Sequence, residues 1–232
     1  MDTQILLDAE KIAQRQASFS SERIADSSQE PDVVNRWLSE ICIRWKQMAD
    51  KPSSDNAHDN NKNNQLFNIW SDEDYYRFVV GITRYLAFRD ALILTSMADI
   101  SEDKLVAFLK HPISESSTVL VHDILSGLLN EATAKPNMVR LNRCMGALSA
   151  IRERCPREYQ TPFYAIEAYL WWTAGEFTQS RLSNSQALSL DSHYSLALIT
   201  DKALSMKIYP AWCALSKHKR VSKQNQSTQQ RE

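Results

Sequence analysis

The stretch from Thr161 to Lys207 constrains the fold more than any other part of the chain, because it reads as three helical runs joined by two short turns. Pro162 suits the first turn of a helix over 162–174, where a missing N–H costs no intrahelical bond. Ala165, Ala168, Tyr169 and Trp172 recur at steps of three and four and so share one face. The two alanines are small enough to let a second helix come close. Gly175 ends the run, since glycine takes the left-handed C′ conformation without a Cβ clash. A second helix is expected over 177–190, with Phe177, Leu182, Ala187, Leu188 and Leu190 at its apolar positions. Asp191 or Ser192 is placed to cap a third, over 194–207, carrying Leu196, Ala197, Ile199, Ala203, Leu204 and Met206. Trp172 is expected to be buried between the first two helices.

This stretch resembles one tetratricopeptide unit. The residues that carry the likeness are Tyr164, the turn Gly175-Glu176-Phe177, and the ending Ala187-Leu188-Ser189-Leu190-Asp191. It departs from that pattern at Glu167 or Ala168, where an early small residue is expected. It departs again at Asn184, for an aromatic, and at Ser192, for a proline. One period upstream, about 34 residues, Leu141 stands in place of Gly175 and Glu153 in place of Ala187. A single unit is therefore readable, and both an ordinary helical hairpin and part of a repeat array fit it.

Only 4 glycines occur in 232 residues, and strand-like alternation is rare. Together these favour an all-α protein, either a helical bundle or a short solenoid of antiparallel helix pairs. The net charge of −1 provides no electrostatic footprint for nucleic acid, and no apolar run is long enough to span a bilayer. The first ten residues lack the basic start and apolar core of a secretory signal. Cys42, Cys144, Cys155 and Cys213 stand far apart, with no C-x-x-C spacing, so they read as reduced cytoplasmic thiols rather than zinc or redox ligands.

Along the chain, residues 1–50 read as N-terminal helices. The first is a modest helix over 2–24, with a serine-rich loop somewhere in 18–30. The second is a clear helix over 32–49 striped by Val34, Trp37, Leu38, Ile41, Trp45 and Met48. Residues 51–66 read as a flexible polar linker; His58 within it is a solvated loop histidine. A helical domain follows over 67–212. Ser71 with Asp72, Glu73 and Asp74 marks a helix start, and helices are expected over 72–86, 89–98, 117–131 and 137–154. A short helix is expected from Ser101 to Leu109, and Pro136 near the first turn of the helix over 137–154. Residues 213–232 read as a disordered polar and basic tail.

With the whole pattern in view, residues 70–212 resemble the C-terminal half of a bacterial family, domain of unknown function 4192. The matching residues are Arg89-Asp90-Ala91-Leu92, then Gly175-Glu176 with Ala187-Leu188, Asp191 and Ser195-Leu196-Ala197, and finally Tyr209-Pro210 with Trp212. The resemblance implies no activity. It singles out Arg89 and Asp90 as a candidate interaction pair. The alternative is that Asp90 serves the helix start and Arg89 ties to an acid on a neighbouring helix.

No nucleophile elbow, phosphate loop, H-E-x-x-H or dinucleotide fingerprint is present, so no catalytic, cofactor-binding or metal residue is assigned. The expected role is a non-catalytic helical module that binds a protein or peptide, with no nucleic acid and no membrane. The alternative is an enzyme, or an accessory domain of one, whose site the sequence does not reveal.

Overall fold

Eleven α-helices and no strand make up the described residues, 6–25, 27–51 and 70–214, of this computed structural model. Of the expected linker only Lys51 is described, and of the expected tail only Cys213 and Ala214; the remainder of both lies outside the described residues.

Helix α1 (Ala9–Ala25) starts where the Asp8 carboxylate accepts from the amides of Glu10 and Lys11, at 2.8 and 3.1 Å. It buries Ile12, Gln16 and Phe19, which stand one and two turns apart on one face. The loop expected in 18–30 does not begin before Ala25, because the serines up to that point bond back into the helix, and Ser27–Gln29 form a 3-10 turn. Ser18 Oγ donates to the Gln14 carbonyl at 3.1 Å and Ser21 Oγ to the Ser18 carbonyl at 3.0 Å. Helices α2 (Glu30–Val34) and α3 (Glu40–Asp50) form one rod, joined by a π turn at Asn35–Ser39 with helical backbone on both sides.

Helix α4 (Asp72–Arg84) opens with a complete capping box. Asp74 N–H donates to Ser71 Oγ at 3.3 Å, and Ser71 N–H donates to the Asp74 carboxylate at 2.7 Å. Tyr85 is extended and separates α4 from α5 (Leu86–Met97); its hydroxyl donates to the Leu109 carbonyl at 2.6 Å. Helices α6 (Glu102–Lys110), α7 (Glu115–Asn130) and α8 (Met138–Arg154) follow. Asn137 rather than Pro136 sets the start of α8, since its side chain accepts from Val139 and Arg140 amides, both at 3.1 Å.

Helices α9 (Thr161–Thr173), α10 (Phe177–Leu190) and α11 (Ser195–Ser205) are the three runs read from the organising stretch. Helix α9 is buried almost all round, which is why its composition is apolar on every side. It touches α4, α5, α8, α10 and α11. The small faces meet as expected: buried Ser180 on α10 donates to the Ala168 carbonyl at 2.8 Å. Gly175 has φ +77°, and a double bond closes α9, from Gly175 N–H to Trp172 O (3.1 Å) and Glu176 N–H to Trp171 O (3.0 Å). The third helix is capped differently from expectation. Tyr194 occupies its N-cap, and Asp191 instead accepts from the His193 amide at 2.9 Å.

Trp172 is 4% exposed, and its indole N–H donates to the Ile208 carbonyl at 2.9 Å, so its polar edge meets the segment after α11. Trp212 answers it by donating to the Thr173 carbonyl at 3.2 Å, while Phe177 and Tyr209 stack at 4.2 Å. The main core centres on Phe78, whose ring lies 5.7 Å from Trp45, 5.4 Å from Phe88, 6.1 Å from Phe163 and 5.5 Å from Trp70. Those rings come from α3, α4, α5, α9 and the residue before Ser71. Helices from both sides of residues 52–69 thus share one core.

Candidate functional site

Arg89 and Asp90 sit in the first turns of α5. Arg89 is 9% exposed and donates through Nε and Nη2 to Asp90 Oδ1, at 2.9 and 2.7 Å. Its carboxylate partner is therefore the adjacent residue rather than an acid of another helix. Burial works against the Arg89 charge, but Asp90 and the facing Tyr194 hydroxyl outweigh it and raise its pKa. Tyr169 closes the pocket of side chains from α9; burial, helped by Asp90, pushes its phenol up to about 12. The arrangement links the start of α5 to α9 and to the N-cap of α11. Arg89 is sealed within it, while the Asp90 side chain is partly exposed.

The other strongly shifted groups also lie at packing positions. Burial pushes the Cys144 thiol up to about 11 and Cys155 up to about 12, and raises Cys42 as well. Burial also raises the Glu167 pKa, outweighing Arg152, which donates to it at 3.1 Å. A second buried cation, Arg140, crosses from α8 to donate to Asp50 on α3 and to the Thr95 carbonyl on α5. Among the described residues, no group of three or more His, Cys, Asp or Glu side chains is placed to hold a metal ion. No helix among them is long and apolar enough to cross a membrane.

The surface that stands out is α7. Its sequence carries Val119, Leu120, Val121, Ile124, Leu125, Leu128 and Leu129, yet of its residues only Ser117 and Leu128 are buried. Ser114 caps it, accepting from the Ser117 amide at 3.3 Å, and the Ser117 hydroxyl ties back to the His111 carbonyl at 2.7 Å. The N-terminal turn is thus anchored, and the helix leans on α5 and α6 with Leu120, Val121 and Ile124 half-buried against the core and Val119 and Leu129 left exposed. Val119 is 51% exposed, and Ile113 in the turn before α7 is 94% exposed.

Between α6 and α7 runs a groove of about 660 Å³. Val119, Leu120 and Ala107 form its apolar floor; Ser116 and Ser117 complete it, and Asp103, Lys104, Glu115 and Asp123 stand on its rim. On α7 the lining positions 116, 119, 120 and 123 follow one face at helical spacing. A second hollow, of about 460 Å³ between α10 and α11, is lined by Arg181, Asn184, Ser185, Ser189 and Asp201, with Leu188 as its one apolar residue. It lacks the apolar area that drives association, so the α6–α7 groove is the better candidate. The sequence reading identified the helix over 117–131 and missed the groove, which depends on how α6 packs beside it.

No family model, no curated protein and no solved structure matches the chain. The two resemblances drawn from the sequence accordingly rest on the motifs quoted for them.

Proposed function

We propose that this chain is a non-catalytic helical interaction module and that it receives a partner protein in the α6–α7 groove. One observation carries the reading: α7 leaves Val119 exposed and Leu120 half-buried beside the groove although its N-terminal turn is anchored and its neighbours are in place. Leaving that area in water costs about 25 cal/mol per Å², which a docked partner would recover. The strongly shifted titratable groups support a binding role over catalysis, since they are packed in the core rather than gathered along the groove. Arg89 and Asp90 belong to this proposal as the support that joins α5 to α9 and α11, with Asp90 as the exposed member. A tetratricopeptide-like α9–α10–α11 unit and membership of the domain of unknown function 4192 family are the fold side of the same proposal. A cytoplasmic setting accords with the buried thiols of Cys42, Cys144 and Cys155.

Photo-cross-linking in the native host tests this reading. A photoreactive residue in place of Val119 should give an adduct of defined mass. Ala107→Arg, which fills the groove from its exposed side, should abolish that adduct. The same photoreactive residue at Leu182, exposed on α10, should give none. Equal adducts at both positions, or none at Val119, would overturn the reading.

A further inference from the structure

We infer that the occupant of the α6–α7 groove is an amphipathic helix of a partner protein, with basic residues flanking its apolar stripe; this rests on the interaction-module reading above. The described residues contain no strand, so a partner segment finds no sheet edge to extend. The walls of the groove are helices whose backbone groups are already bonded within themselves. The groove therefore offers no backbone ladder to an occupant, and a helix, which bonds its own backbone, seats there without one. From Glu115 to Asp123 the groove follows α7 over nine residues, eight helical rises or about 12 Å, matching two to three turns of a partner helix. Ala107 and Ser116 are small, and allow close approach along that length.

The rim determines the polarity of the partner. Asp103, Glu115 and Asp123 face the groove against a single cation, Lys104. Among the described residues Asp103 and Glu115 enter no salt bridge, and Asp123 meets only the exposed His122 at 3.4 Å. Carboxylates around an apolar floor favour a helix whose lysines or arginines straddle its apolar stripe and disfavour an acidic one.

The test uses the full chain and two fluorescein-labelled synthetic peptides of 18 residues. Both carry the same leucine stripe at helical spacing; one has lysine on its polar positions and the other glutamate. By anisotropy at low salt, the lysine peptide should bind about tenfold tighter than the glutamate peptide, and the gap should shrink as salt is added. The paired reversal Asp103→Lys with Glu115→Lys lies on exposed positions and should remove or invert the preference, while Ala107→Arg should weaken both peptides. Equal binding of the two peptides, or a lysine preference that survives the reversal, would overturn the inference. If neither peptide binds while the Val119 adduct persists, the partner chemistry is wrong and the interaction module stands; if the adduct is absent too, both fail. Two further results would also overturn it. Peptide binding that appears only after removal of residues 215–232, which include Lys217, Lys219, Arg220 and Lys223, assigns the groove to the chain itself. Self-association in sedimentation that Ala107→Arg abolishes assigns it to a second copy.

Discussion

Gly81 lies directly against the ring of Phe88: a Cβ built on it would stand 2.7 Å from Cδ1 of that ring and 2.9 Å from Cδ2 of Leu38. The missing side chain lets α4 and α5 close on each other and on the π turn, beside the Phe78 core. Gly81→Ala should therefore destabilise by about 1–3 kcal/mol through overpacking. Gly127 on α7 meets nothing within 4 Å, so Gly127→Ala should stabilise by about 0.5–1 kcal/mol through helix propensity. Urea midpoints of the two variants should move in opposite directions.

Trp172 and Trp171 are neighbours in sequence and differ in what surrounds them. Trp172 is buried and bonded to Ile208 O, whereas Trp171 is half-buried against the main core. Trp172→Ala should cost about 3–5 kcal/mol, and Trp171→Ala should cost less. Denaturant unfolding of both variants checks the order. A larger loss for Trp171→Ala would mean that the C-terminal closure around Trp212 holds little of the stability.

Asp50 should make stability depend on acid pH. Burial raises its pKa, but Lys46 and Arg140 both donate to its carboxylate and together hold it below the usual aspartate value. A pKa lower in the folded than in the unfolded state adds stability above the unfolded value, about 3.9. That contribution is lost as pH falls through the depressed folded value. Asp50→Asn should cost about 2 kcal/mol at pH 7, partly by stranding the Arg140 guanidinium, and progressively less in acid. Equilibrium unfolding of both proteins from pH 7 down to about pH 2 measures the convergence.

Thiol chemistry reports the same core. Cys42, Cys144 and Cys155 are buried with raised pKa values, and Cys213 is half-buried. A thiol-specific disulfide reagent at neutral pH should titrate at most one cysteine quickly in the native protein and all 4 after denaturation. Two or more fast thiols in the native state would contradict the packing of α3 and α8.

Much of the fold was legible in the sequence because its punctuation acts through local backbone. Ser71, Pro162 and Gly175 mark helix ends by bonds or torsions made within a few residues, and each lies at or next to the end it marks. The serines at 18 and 21 misled for a local reason too, since a serine that weakens a helix in isolation also bonds back to its carbonyls. The groove was not legible. A periodic pattern such as Leu120–Ile124–Leu128 shows that a helix has an apolar side, and says nothing about which neighbours cover it. Arg140 was missed for the same reason, as no spacing rule joins it to Asp50, 90 positions away. The pair Arg89–Asp90 was legible as a motif, but its burial behind Tyr169 and Tyr194 is set by α9 and α11.

The π turn at Asn35–Ser39 gives the α2–α3 rod a spare residue. A wide turn holds one amino acid more than an α-turn of the same direction, so removing one there restores a regular helix rather than breaking it. Such a deletion shortens the chain without turning its later half, and Trp45 keeps its orientation toward Phe78, 5.7 Å away. The same loss one turn later, within α3, rotates every following side chain of the rod by about 100°. Natural variation in the length of this protein is therefore expected to be tolerated at residues 35–39 before it is tolerated elsewhere in that rod.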